Sequence, residues 1–204
     1  MWNVFNPIMR PFKRRSAARL LKRGKAIYLA GDSFPADLHI EAAIEARLPS
    51  LFGVWRSQTA LNERHGAGQF TMKIPERLDI LRRELPDISP AWPNVLVGRS
   101  SGSRVATLFA CEHPVCAVVC LGYPFKHPNR EPEPIRYEHL RHIAVPTLIL
   151  QGRSDAYGSF EQAGTYPASA NVTIMPVDTD HEFRLDENQW DAVAGRIAHF
   201  LRNL

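Results

Sequence analysis

The chain has 204 residues, 45% of them hydrophobic and 23% charged, with a formal net charge of +4. That length suits one packed domain rather than two, and no apolar run approaches the roughly 18 residues that a membrane span requires. Residues 1–31 hold eight of the 25 basic residues and none of the 21 acidic ones, which leaves 17 basic against 21 acidic in the remainder and argues against a nucleic-acid-binding body.

Residues 1–24 read as a basic N-terminal arm. Trp2, Val4, Phe5, Ile8 and Met9 are interrupted by Pro7 and Pro11, and a basic segment from Lys13 to Lys22 is expected to be one short helix. Its arginine-rich, acid-free composition fits either a solvated arm packing its aromatics on the body or a contact with an anionic membrane surface. The opening residues lack the h-region and cleavage site of a secretory signal. Cys111, Cys116 and Cys120 lie in apolar surroundings, as expected of buried, reduced thiols in a cytoplasmic protein, and no histidine stands at a metal-ligand spacing from them.

The domain proper is expected over residues 25–204. Strand-like Ala26–Ala30 leads to a helix over Ala36–Leu48 and a strand over Leu51–Trp55, then a loop around Asn62–Gly68 and a helix over Pro75–Leu85. Strands follow at Val95–Val97, Val115–Leu121, Pro146–Gln151 and Val172–Met175, with a helix from Gly102 and short helical stretches near Tyr137–His142 and Gly158–Gly164. The last helix, from about Glu187 to Leu201, places Trp190, Val193, Ala194, Ile197 and Leu201 on one face and His199 opposite. Six strands alternating with helices predict an α/β protein with a doubly wound, mainly parallel sheet covered on both faces.

Between the third strand and its helix stands Gly98-Arg99-Ser100-Ser101-Gly102, the G-x-S-x-G spacing of a nucleophile elbow. The turn is so tight that small residues two positions either side of the serine avoid collisions. A serine nucleophile needs a base, and the base an orienting acid. Asp155 falls just beyond the strand that ends at Gln151, and His181 just before the last helix, so Ser100, Asp155 and His181 follow the order of an α/β-hydrolase. His199 lies on a solvent face, and His113, His127, His139 and His142 precede the acid.

In these segments the chain resembles small α/β-hydrolases of the dienelactone-hydrolase-like kind, and within them the nearly capless group with testis-expressed and NSL-complex-subunit relatives. Gly98-Arg99-Ser100-Ser101-Gly102-Ser103-Arg104, Leu121-Gly122-Tyr123-Pro124 with Glu138-His139-Leu140, Val145-Pro146-Thr147 leading to Gln151-Gly152-x-x-Asp155, and Asp180-His181 carry the resemblance. It implies a serine hydrolase acting on a carboxylic ester or thioester, with Ser100 as nucleophile, Asp155 as acid and His181 as base, and with no cofactor and no metal. It also implies that the first strand lies between the second and third, so that the ligand site falls beside Gly31 and Ser100. The backbone N–H of Ser101 and one from Asp32 or Ser33 are the expected oxyanion donors, and Phe34, Tyr123 and Pro124 the expected substrate-binding positions. The chain departs from the group in two places: Ser101 replaces a methionine, and Ala30-Gly31-Asp32-Ser33-Phe34 stands where a His-Gly-rich loop is usual. His65-Gly66-Ala67-Gly68 imitates an oxyanion motif in letters but follows the second strand and reads as a loop. Two other readings compete. Gly31-Asp32-Ser33 and Asp178-x-x-His181 resemble blocks of the SGNH esterases, with Ser33 as nucleophile, although no Gly-x-Asn-Asp block is present. Alternatively the fold serves a non-catalytic interaction protein.

Overall fold

Alternation along each strand sends successive side chains into two separate cores, which is why helices cover both faces. The computed structural model describes residues 19–66, 70–85 and 93–204. Its strands are β1 (Lys25–Leu29), β2 (Val54–Arg56), β3 (Asn94–Arg99), β4 (Ala117–Leu121), β5 (Thr147–Gly152) and β6 (Val172–Val177). They form one sheet in the order β2-β1-β3-β4-β5-β6, every pair parallel. The first strand therefore lies between the second and third, as expected, and winding reverses between β1 and β3, where the ends of neighbouring strands leave a crevice.

The helices are α1 (Leu38–Glu45), α2 (Gln58–His65), α3 (Ile74–Glu84), α4 (Ser101–Glu112), α5 (Phe160–Ala163) and α6 (Glu187–Arg202). Ala26, Tyr28, Val95, Val97, Val119 and Leu148 face the core closed by Ile40 and Ile44 of α1 and by Trp190, Val193, Ile197 and Leu201 of α6. Ile27, Leu29, Leu96, Val118 and Ile149 face the other, closed by Leu61 of α2, Leu81 of α3 and Val105 and Phe109 of α4. The five α6 residues expected on one face are all buried. Asp186 and Gln189 close a reciprocal capping box at the start of this helix, each side chain bonded to the other's backbone N–H at 2.8–2.9 Å.

Three expectations are corrected. Asn62–His65 belong to a helix, because Ser57 accepts from Ala60 N at 3.2 Å and the buried Glu41 accepts from Gln58 N at 2.9 Å; two carboxyl and hydroxyl caps hold a segment with weak apolar periodicity. The 24/25 boundary cuts inside the packed unit, since Leu21 is 2% exposed in the first core and the Gly24 carbonyl accepts from Gly53 and Val54. The rest of the expected arm, residues 1–18, lies outside the described residues. Of the three cysteines only Cys120 is fully buried; Cys111 is exposed on the outer side of α4. Burial pushes the Cys120 thiol up to about 12. Between β4 and β5 the chain forms two short 3-10 turns, Pro134–Arg136 and Glu138–His142, with no cap domain.

Candidate active site

Ser100 sits at the turn from β3 into α4 with φ 49° and ψ −119°, a left-handed conformation that costs a non-glycine residue of order 1–3 kcal/mol and persists only when its surroundings impose it. They do. A Cβ on Gly98 would come within 2.5 Å of the Ser103 backbone, and one on Gly102 within 2.1 Å of the Leu29 carbonyl oxygen. The Ser100 N–H is fixed by donating to Leu121 O at 3.0 Å. The strain thus presents the hydroxyl at the carboxyl end of the sheet, beside the first turn of α4.

His181 Nε2 lies 3.0 Å from Ser100 Oγ. On the other side of the ring, Nδ1 lies 2.9 and 2.8 Å from the two carboxyl oxygens of Asp155. Asp155 is 2% exposed and His181 9%, while Ser100 is half-exposed, so solvent reaches this chain at the serine end. The Asp155 side chain is itself held. Tyr157 N donates to Oδ1 at 2.8 Å, and Gln151 Nε2 stands 3.1 Å from Oδ2. Gln151, fully buried, also accepts from Tyr123 N at 2.9 Å and donates toward Tyr123 O and Gly158 O. The Tyr157 ring stacks on the His181 imidazole with centroids 4.1 Å apart. Ser154 N donates to Thr179 O at 3.2 Å, tying the loop after β5 to the loop after β6.

The three residues expected to act together are therefore adjacent, although they come from three different strand ends. Ser33, the alternative nucleophile, is not the serine that meets His181. The expected oxyanion positions also converge: a Cβ on Gly31 would stand 3.1 Å from Ser100 Cβ, which sets the loop after β1 against the serine. Among the described residues no backbone carbonyl accepts from the N–H of Asp32, Ser33 or Ser101. The Ser101 hydroxyl donates to Asp32 Oδ1 and accepts from Arg77 Nη1 at 3.1 Å. Arg77 donates its other prong to Ala30 O. Burial lowers the Arg77 guanidinium to about 10, with Asp32, Tyr28 and Asp37 opposing the shift, so it stays cationic at neutral pH.

Two of the three expected substrate-binding positions are corrected. Tyr123 is fully buried in the second core, and its hydroxyl donates to Arg136 O at 2.6 Å; Pro124 is buried beside it. Phe34 is half-buried next to Asp32 and Ser33, its ring against Phe70 at 5.1 Å. His65 ends α2 and bonds Glu84 at 2.7 Å; Ala67 and Gly68 lie outside the described residues. Five further residues stand around the site, Gln151, Tyr157, Arg77, Asp37 and Arg99, to which the sequence motifs assign no role. One signal was present for Arg99: a charged residue closing an otherwise apolar strand, next to the serine.

A family model described as an alpha/beta hydrolase domain matches residues 60–203, a span that contains Ser100, Asp155 and His181. No curated protein sequence matches the chain. Solved structures share its fold. A YdeN-like hydrolase from Pectobacterium atrosepticum superposes with a TM-score of 0.64 at 18% identity, covering 92% of this chain and 96% of that one. A monoacylglycerol lipase from Paleococcus ferrophilus gives 0.63 at 15% identity, with 89% and 95% covered. The Pyrococcus furiosus esterase Pf2001 gives 0.62 at 14% identity, with 90% and 83% covered.

Proposed function

The chain belongs to the alpha/beta hydrolase domain family, and from that premise we propose that it is a serine hydrolase cleaving a carboxylic ester or thioester through an acyl-enzyme on Ser100. One observation carries the reading: an unbroken hydrogen-bonded line from the strained Ser100 hydroxyl through His181 to a buried, fully partnered Asp155. With Nδ1–H held by Asp155, the Nε2 lone pair faces the serine. As Ser100 Oγ bonds to the acyl carbon, its proton passes to Nε2, and His181 then delivers it to the departing alcohol or thiol. A water activated by the same nitrogen releases the acid and restores the serine. The N–H groups of Ser101 and of Asp32 or Ser33 are assigned to the developing oxyanion. Two of the structural neighbours are an esterase and a monoacylglycerol lipase, which supports small esters as the substrate class. The likeness to the dienelactone-hydrolase-like group, on Gly98–Arg104 and Asp180-His181, supports an open site without a cap. The test is labelling with a fluorophosphonate probe, then a panel of p-nitrophenyl esters and acyl-CoA thioesters. An adduct on the Ser100 peptide and turnover on at least one ester support the proposal. No adduct and no turnover overturn it in favour of a non-catalytic hydrolase-fold protein, and an adduct on Ser33 hands the site to the SGNH reading.

A further inference from the structure

Arg99 is the last residue of β3 and shares a strand face with Val95 and Val97, so its side chain enters the first core beneath the loops. It is 1% exposed. Its guanidinium grips one residue twice: Nη2 donates to the His181 carbonyl oxygen, and Nη1 stands 3.2 Å from His181 Nε2. Its Cζ lies 5.7 Å above the Phe183 ring. Its Nε points toward Asp37 Oδ2 at 3.9 Å, and neither that nitrogen nor either Asp37 oxygen has a hydrogen-bond partner.

A guanidinium has five N–H donors and no acceptor, and it does not lose a proton in proteins. Its approach to Nε2 is a bond only where that nitrogen carries a lone pair. The imidazole proton then sits on Nδ1, between the ring and Asp155. Asp155 favours this tautomer from one side of the ring and Arg99 enforces it from the other. The Nε2 lone pair receives two donors, the Ser100 hydroxyl at 3.0 Å and the Arg99 prong at 3.2 Å. Once Nε2 takes the serine proton, its new N–H faces a cationic N–H, so the proton is driven onward to the leaving group rather than retained.

We infer that Arg99 is a positioning residue that fixes His181 in its lone-pair-on-Nε2 tautomer, with Asp37 as its buried counter-charge. The catalytic part of this inference rests on the hydrolase reading above; the tautomer part stands on the geometry alone. Charged groups face the imidazole from three elements: Asp155 after β5, Arg99 at the end of β3, and Asp37 through Arg99 at the start of α1. Tyr157 stacks on the ring, and Asp180 is occupied with Glu182 N at 2.8 Å.

The experiment is nitrogen NMR of histidine-labelled protein, with the His181 signals assigned by their loss in His181→Gln. In Ser100→Ala the serine donor is gone, so a hydrogen-bonded Nε2 signal reports Arg99 alone. That signal is expected to persist in Ser100→Ala and to move toward a free imidazole nitrogen in Ser100→Ala with Arg99→Met, which keeps the buried stem but lacks the fork. In the Arg99→Met single variant, ester turnover is expected to fall about 10–100-fold in kcat with KM nearly unchanged, the usual scale for losing a group that orients a histidine. An Nε2 signal indifferent to Arg99→Met overturns the inference while leaving the hydrolase reading intact. Full turnover in Arg99→Met overturns its catalytic part. Where Arg99→Met does not fold, Arg99→Lys carries the same test, because lysine keeps the charge and cannot hold both His181 atoms. Absence of ester turnover in the wild type bears on the hydrolase reading alone, since the Nε2 signal still decides the Arg99 contact.

Discussion

Two buried carboxyl groups bear on His181, Asp155 directly and Asp37 only through Arg99, and they are satisfied in opposite ways. Asp155, 2% exposed, meets the imidazole, the Tyr157 N–H and the Gln151 amide. Asp37, 4% exposed, meets none, and its nearest cation is Arg99 at 3.9 Å. Asp37 even stands at the N-cap position of α1, where an aspartate ordinarily accepts from the first turn, yet makes no side-chain cap bond there. Its backbone, φ −100° and ψ 23°, departs from the extended cap geometry. The difference teaches where the site is stiff. A fully partnered buried carboxyl specifies one geometry, whereas an unpartnered one keeps a desolvation cost that only a nearby charge offsets. The loop after β5 builds a rigid acid, and the loop after β1 carries a counter-charge held at a distance.

The largest effects belong where the two regions meet. Ser100→Ala and His181→Ala are each expected to lower ester turnover by more than about 10³-fold, read in a p-nitrophenyl ester assay on folded protein. Full activity in either variant removes the assignment. Between the carboxyl groups the comparison is direct. Asp155→Asn is expected to lose somewhat less, on the order of 10²–10³-fold, and Asp37→Asn about tenfold, because it acts only through Arg99. Equal losses in the two variants break the contrast.

The loop after β1 is tested next. Ser33→Ala keeps its N–H and is expected to retain most activity. Ser33→Pro removes that donor and stiffens the turn, at an expected cost of about 10²-fold in kcat. A harmless Ser33→Pro places the second oxyanion donor elsewhere.

What the sequence disclosed, and what it withheld, follows from the range of each interaction. The six strands and the α6 stripe of Trp190, Val193, Ala194, Ile197 and Leu201 were legible because burial repeats at a fixed local period. Ser100, Asp155 and His181 were legible because order along the chain and position at strand ends survive without coordinates. Helix α2 was not, since its apolar periodicity is weak and the second of its two caps comes from Glu41, 17 residues away. Tyr123 and Pro124 were misplaced because a letter match near a strand end does not say which side chain turns inward. Gln151 and Arg99 look like strand-ending polar residues, and their partners at Gly158 and His181 appear only when the loops are folded together.

Gln151 sharpens the contrast in stability. Gln151→Leu is close in volume but strands the Tyr123 N–H, the Tyr123 and Gly158 carbonyls and one Asp155 oxygen. At about 1–3 kcal/mol for a buried polar group left unpaired, and with carbonyls cheaper than the rest, the expected loss is about 2–4 kcal/mol in urea unfolding. Turnover should fall with it, since Asp155 loses an anchor. A stable Gln151→Leu with full activity shows that Tyr157 N and His181 hold the acid without help.

His139 solves the same problem a third way, by staying neutral. Its Nε2 lies 2.9 Å from Thr107 Oγ1 and 3.3 Å from the Tyr123 hydroxyl. Burial, reinforced by the Arg104 charge, lowers it from 6.5 to about 4. The unfolded chain therefore binds a proton at this residue in a window where the folded chain does not. Stability from this source is complete above about pH 6.5 and is lost as pH falls from there toward about 4, at no more than about 1.4 kcal/mol per pH unit. Because the residue is only partly shielded, the expected loss between pH 7 and pH 5 is about 1–2 kcal/mol. His139→Gln keeps a polar group for Thr107 and removes the titration. Carboxyl groups common to both proteins cancel when the two urea midpoints are compared at each pH. The wild type is expected to lose its advantage over His139→Gln as pH drops from 7 to 5, and a gap that stays constant across that range means that His139 takes up its proton in the folded state as readily as in the unfolded one.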